Sequence, residues 1–200
     1  MEQMDWLFLY GQASVFIYVF IEIVVTIKPF RRAINKKATW YDQLILMILF
    51  GGFSIFGTYI GVTMPSGAIM SIRDLGPMIA GITAGPIVGL GAGLLGGIHR
   101  YFLGGLTGIP CGLATIVAGL LCGIIHSYRQ GRIIGILQGV IIATIVEFVH
   151  MGLVLLIARP FEEAMFVVQG VFFPMVIANS LGMFFVTKIV GRDLDLINVR

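Results

Sequence analysis

Two arginines, Arg73 and Arg100, stand at the two ends of one apolar, glycine-rich run, residues 75–98. An arginine at the centre of a bilayer costs about 2.5–3.5 kcal/mol on insertion scales, so two of them beside a run of this kind need a use. Brought to one cavity, two guanidiniums form a bidentate clamp for a carboxylate. Half-helix N-termini aimed at the same point would strengthen the field for an anion. The competing reading is that each arginine snorkels to the headgroups or pairs with Asp74 or a distant acid. Glu147 and His150 lie three apart on one face of a later apolar run, and Glu22 sits inside the first. They read as a buried structural and coupling pair, with proton-coupled gating as the alternative. Two ligand candidates fall short of a zinc site, so no metal is expected. No Ser-His-Asp set and no paired catalytic carboxylates emerge from the spacing, so no catalytic residue or cofactor is assigned.

The elements that must position these groups are six apolar runs, near 6–27, 43–64, 75–98, 104–125, 133–158 and 165–187. Five read as ordinary spanning helices. The third, 75–98, is broken at its centre by Gly85-Pro86, and proline costs a helix interior about 3 kcal/mol. Unbroken, its 24 residues would reach about 36 Å and could span. Fourteen of the 27 glycines fall between Gly76 and Gly123, with Gly81, Gly85, Gly89 and Gly93 at every fourth position. Small residues four apart let helix backbones approach closely within a bilayer. Gly104-Gly105, with Gly108 and Pro110, reads as a turn leading into Cys111. Asn179, Gln169 and Gln138 read as interhelical hydrogen-bonding residues, Pro174 as a kink in the last span, and Trp40-Tyr41 as an interfacial pair.

Composition fixes the class. Of 200 residues, 58% are hydrophobic and 12% charged, with a mean hydropathy of +1.00. That excludes a soluble globular domain, a disordered chain and a nucleic-acid-binding domain; the expectation is an all-α integral membrane protein. The acidic start, Met1-Glu2-Gln3-Met4-Asp5, lacks the basic region of a cleavable signal peptide. Cys111 and Cys122 would stand about 16 Å apart along one helix, too far for a disulfide. Sorting the 13 Lys and Arg by loop separates two topologies. Six full crossings divide them seven to six; five crossings with 75–98 as a re-entrant helical hairpin divide them ten to three, with only Arg73, Arg100 and Arg159 outside. The positive-inside rule favours the second. It places the N-terminus outside, residues 188–200 as a cytoplasmic tail, and both clamp arginines on the outer side. Backbone that breaks at membrane depth also implies a cavity there.

The central block carries a family resemblance. Ser71-Ile72-Arg73-Asp74-Leu75-Gly76-Pro77, Ala84-Gly85-Pro86, Gly96-Gly97-Ile98-His99-Arg100-Tyr101, Gly104-Gly105-Leu106-Thr107, and Pro110-Cys111 through Thr115 to Gly119-Leu120 resemble the five-transmembrane receptor domain of LytS/YhcK type, as does FSIFGTYIG at 53–61. The likeness covers essentially the whole chain. It implies a bacterial inner-membrane sensor module, normally followed by a LytS-type histidine kinase or a diguanylate cyclase, that senses small carboxylates such as pyruvate or takes part in cell-wall control. The family's two arginines and cysteine match Arg73, Arg100 and Cys111. A serine often found three residues after the cysteine is Ala114 here, followed by Thr115, and an asparagine two before the first arginine is Ser71; these departures leave ligand identity open.

The expected function is therefore signal reception in a two-component-type system. A small carboxylate would enter from outside and be held by Arg73 and Arg100, with Cys111 and Thr115 as the pocket wall and His99 beside the second arginine. Gly85, Pro86, Glu147 and His150 would couple binding to the last two spans. The expected partners are that ligand, membrane lipid, a cytoplasmic kinase or cyclase module, and a second copy in a homodimer. The 200 residues hold no phosphoacceptor-histidine module, nucleotide-binding domain or GGDEF stretch, so the chain reads as the sensor of a longer kinase or as a stand-alone receptor. The alternative function is the substrate-binding subunit of a small-solute transporter.

Overall fold

The computed structural model describes residues 3–64 and 67–198, the side chains of 3–10, 12–13 and 194–198 aside. Among the described residues, helices form at α1 (Gln3–Val24), α2 (Lys28–Ile34), α3 (Trp40–Tyr59), α4 (Leu75–Ala84), α5 (Pro86–Phe102), α6 (Gly108–Tyr128), α7 (Ile136–Ile157) and α8 (Phe161–Asn198). A two-residue antiparallel ribbon, β1 (Val62–Thr63) with β2 (Ile69–Met70), interrupts them between α3 and α4. Four helices, α3, α6, α7 and α8, are long and apolar enough to cross a membrane. Their outward faces stay apolar: Ile48, Ile124, Phe148 and Phe173 are all at least half exposed. The protein is a helical, multi-pass membrane protein.

The 75–98 run divides where its sequence breaks. Gly85 has φ +94°, a conformation that side chains rarely adopt, and Pro86 opens α5 with its pre-set φ. Gly81 and Gly89 then lie back to back: a Cβ on Gly89 would meet the Gly81 Cα at 2.7 Å. In an unbroken helix those residues would stand about 12 Å apart, so the chain reverses at Gly85. Both arms press on α6, where Gly119 faces Gly81 and Gly89 and Gly123 faces Pro86. A Cβ on either Gly89 or Gly119 would run into the carbonyl of the other helix.

This hairpin revises one expectation about field direction. Only the N-terminus of α4 lies at the arginine end; that of α5 lies at the opposite end, near Gly123 and His126. The second N-terminus at the arginine end belongs to α6, whose N-cap Thr107 meets Arg100. Antiparallel arms put one start and one finish at each end.

Three boundaries also differ from the sequence expectation. The loop 28–42 contains a helix, α2, started by Pro29 and tied down by Phe30 and Ala33 in the core. The 43–64 run ends as helix at Tyr59, because Val62 and Thr63 pair with β2. The segment after 187 continues α8 to Asn198, in one helix that includes Pro174. Arg192 anchors that extension to Glu22 at 2.7 Å, and Asp193 lies 3.7 Å from Arg31. Arg200, counted among the inside cations, lies outside the described residues.

Candidate functional site

Arg73 sits in the turn before α4 and Arg100 in the last turns of α5; both are completely buried. They converge on one face of α6, where Thr107, Cys111 and Thr115 follow at intervals of four. That spacing stacks three side chains above one another along a helix. Arg73 Nε donates to Thr115 Oγ1 at 2.8 Å, and its Nη1 donates to Ser71 Oγ at 3.3 Å. The Thr115 hydroxyl donates to Asp74 Oδ1 at 2.6 Å, with the Cys111 carbonyl 2.9 Å away. Arg100 Nη1 donates to the Gly104 carbonyl at 2.7 Å, and Nη2 donates to Thr107 Oγ1 at 3.0 Å. The turn at Gly104-Gly105 thus presents a carbonyl to the guanidinium as well as redirecting the chain.

The charges are unequally matched. Arg73 has a carboxylate beside it, with Nε 3.6 Å from Asp74 Oδ1. Arg100 contacts only neutral acceptors and has no carboxylate at ion-pair distance among the described residues. Arg73 Nη2 and Arg100 Nε, both buried, have no hydrogen-bond partner. An unmet buried donor costs about 1–3 kcal/mol, more on a charged group. Two buried guanidiniums on one face of α6, each with a spare donor, thus have one carboxylate at ion-pair distance, and it lies beside Arg73 alone.

Asp74 is the hub that sequence reasoning placed only as a possible arginine partner. Besides Arg73 and Thr115, its Oδ2 lies 2.6 Å from His150 Nδ1 on α7. His150 therefore pairs first with Asp74; Glu147 Oε2 is farther, at 3.8 Å. Glu147 in turn accepts from Asn179 Nδ2 on α8 at 2.8 Å. A chain of buried polar contacts so runs from the arginine turn through α6 and α7 to α8, with Glu147 Oε2, His150 Nε2 and Asn179 Oδ1 still unpartnered. The separations, 76 residues from Asp74 to His150 and 32 from Glu147 to Asn179, explain why the sequence hides it. Thr107, by contrast, was legible as the position four before Cys111.

The other sequence-selected residues divide between this site and its surroundings. Cys111 is buried on the α6 face that carries Thr107 and Thr115, and its carbonyl accepts from the Thr115 hydroxyl at 2.9 Å. His99 turns toward Tyr59, its Nε2 3.2 Å from the phenol oxygen, at the edge of the cluster. Gly85 and Pro86 are far from it, at the hairpin tip. Cys122 is buried and, like Cys111, free. Gln138 caps the start of α7 by accepting from Gly135 N, and Gln169 is exposed. Asp74, Glu147 and His150 are the metal-type ligands that cluster among the described residues, their ligand atoms within 4.8 Å. With Arg73 beside Asp74 and only three ligands, the group reads as a hydrogen-bonded ion cluster rather than a closed metal site.

Comparison with known proteins places this arrangement in a family. Residues 27–192 match a family model described as 5TMR of 5TMR-LYT. The sensor histidine kinase BtsS of Escherichia coli K12 is 37% identical over 145 residues, 70% of this chain and 26% of that protein. The sensor protein LytS of Bacillus cereus is 32% identical over 185 residues, covering 84% and 31% respectively. LytS of Staphylococcus epidermidis is 27% identical over 177 residues, covering 80% and 30%. The chain thus spans under a third of the length of these relatives, and no solved structure matches it. A match reaching from Ile27 in the turn after α1 to Arg192 in α8, including both buried arginines, shows that this chain belongs to the 5TMR of 5TMR-LYT family of membrane receptor domains.

Proposed function

We propose that the chain is a transmembrane signal-receiving domain that binds a small carboxylate of the pyruvate type between Arg73 and Arg100. The observation that carries this reading is Arg100: a guanidinium with no exposed surface, bonded to neutral acceptors alone, facing the same side of α6 as a second guanidinium with a spare donor. A carboxylate accepting from Arg73 Nη2 and Arg100 Nε would meet both unmet donors and supply the missing negative charge. Water-free surroundings strengthen such bonds. Cys111, Thr107 and Thr115 would shape the wall against the rest of the ligand, with His99 at the rim.

The membrane arrangement that suits this reading has five crossings, α1, α3, α6, α7 and α8, with α4 and α5 as a re-entrant hairpin. The reversal at Gly85 supports it, as does the ten-to-three division of cations, with the N-terminus and ligand site outside and the α8 end in the cytoplasm. Binding would alter the charge balance at Asp74 and pass through His150, Glu147 and Asn179 to α8. A ligand shifts that equilibrium only by its different affinity for the two packings. Beyond α8, the relatives named as sensor histidine kinases support an output through a cytoplasmic kinase or cyclase module, in a homodimer in a bacterial inner membrane.

Calorimetry of the purified chain against pyruvate, lactate and acetate tests the site. Arg73→Ala and Arg100→Ala should each weaken pyruvate binding by about 100-fold, the cost of removing one partner from a buried charge pair. Unchanged binding in both variants overturns the site. Robust uptake of labelled pyruvate into proteoliposomes would instead favour a transport subunit.

A further inference from the structure

At the opposite end of the bundle, α2 and the turn after it gather basic side chains around one pocket. Lys28, Arg31, Arg32, Asn35 and Lys37 line a cavity of about 290 Å³. We propose that this pocket binds the phosphate of an anionic lipid headgroup.

The pocket is built rather than scattered. Phe30 and Ala33 fix the inner face of α2 in the core, which leaves Lys28, Arg31, Arg32 and Asn35 on its outer side. Lys36 then adopts φ +57°, a left-handed conformation unusual for a residue with a side chain. The reversal this allows is closed by Lys36 N donating to Ala33 O and Lys37 N to Arg32 O, the Schellman pattern. It carries Lys37 back to the cavity. None of the five lining residues is acidic. Asp42, at the start of α3, engages Arg32 at 3.2 Å, and Asp193 of α8 lies 3.7 Å from Arg31. Lys28 and Lys37 have no carboxylate at ion-pair distance among the described residues. Four cations thus share two carboxylates, a surplus that a phosphodiester would offset.

Depth points to lipid as the source. Trp40 and Tyr41 open α3 directly after this turn, 62% and 61% exposed, with ring centroids 3.6 Å apart. Exposed Trp and Tyr mark the headgroup level of a membrane, and basic pockets between helices at that level hold lipid phosphates. The site is remote from the arginine cluster: Lys36 packs at Gly131, beside His126, and His126 borders the hairpin tip at Gly85. The inference therefore stands apart from the ligand reading. Binding would also draw Arg31 from Asp193 and so loosen the link between α2 and α8.

The test is native mass spectrometry of the whole chain released from neutral detergent, with phosphatidylglycerol, phosphatidylcholine or inorganic phosphate as probe. Phosphatidylglycerol should be retained in preference to phosphatidylcholine, and the Lys28→Gln/Lys37→Gln variant should lose about tenfold of that retention. Arg132→Gln/Lys188→Gln, which removes two cations elsewhere in the chain, should keep it within about twofold. Equal loss in both double variants reduces the effect to general charge and overturns the pocket. Equal retention of the two lipids, or retention of inorganic phosphate alone, overturns the lipid source. Thermal unfolding of each variant, expected near that of the parent, separates loss of binding from loss of fold.

Discussion

The two halves of the α4–α5–α6 contact are built from opposite materials. Around the hairpin tip, Gly81, Gly89, Gly119 and Gly123 let three helix backbones touch, with no polar side chain needed. At the other end, Arg73, Asp74, Arg100 and Thr115 fill the same interface with charge, all of it buried, and leave donors unmet. In a bilayer, close apolar packing is stabilising by itself, whereas buried charge is tolerated only with partners. The glycine end therefore holds the fold together, and the arginine end carries a cost that the proposed ligand would offset.

The largest test of that division is at the glycine end. Gly119→Val should prevent accumulation of folded protein, because its Cβ would overlap the Gly89 carbonyl and its two γ-methyls would force the helices farther apart than an alanine does. The milder Gly119→Ala should lower stability by about 1–3 kcal/mol in thermal unfolding in detergent. A stable Gly119→Val protein would show that the helices are not in contact there. At the arginine end, Thr115→Val keeps the shape but removes the hydroxyl that bridges Arg73 and Asp74. Pyruvate affinity should fall about tenfold, in keeping with one lost hydrogen bond of about 1–1.5 kcal/mol. Calorimetry decides this, and unchanged affinity would remove the bridge from the site.

How much of this contrast could be read beforehand depends on sequence distance. The Gly85-Pro86 break, the four-residue glycine spacing and the pair of arginines are local patterns, and each corresponds to a feature of the fold. The hub was harder. Asp74 beside Arg73 looks like a neighbouring ion pair, yet its shortest contacts go to Thr115 and His150, 41 and 76 residues away. Glu147 and His150 were visible as a pair at helical spacing, but the tertiary fold gives each a better partner, Asn179 and Asp74. Helix α2 was hidden by its charges, since five cations between residues 28 and 37 read as loop when only Phe30 and Ala33 signal burial. The extension of α8 depends on Glu22 and Arg31, at the far end of the chain.

Two smaller effects refine the comparison. Glu147→Gln keeps the size of a side chain outside the arginine clamp, so pyruvate affinity should stay within about threefold. Pyruvate is expected to slow α8 amide exchange in the parent, and Glu147→Gln should abolish that slowing; an intact response would take Glu147 out of the coupling route. The two buried cysteines give the finest contrast. Cys111 adjoins Arg100 and His150, whereas Cys122 packs in the glycine contact near Gly81. Cys111→Ala should weaken pyruvate binding a few-fold with little change in stability. Cys122→Ala should lower stability by about 1 kcal/mol, the cost of a small cavity, with affinity unchanged. Reversed effects in calorimetry and thermal unfolding would erase the distinction between the two ends.

The most direct measurement of the central claim is thermal unfolding of Arg100→Met with and without pyruvate. A buried charge without a counter-ion carries a desolvation cost that its bonds to Gly104 O and Thr107 Oγ1 only partly offset, and replacing buried charge by an apolar side chain of similar length is often neutral or stabilising. The unliganded variant should therefore unfold at the same or a higher temperature than the parent, and the rise in unfolding temperature on adding pyruvate should disappear. A variant that is destabilised without ligand yet still gains stability from pyruvate would contradict the account.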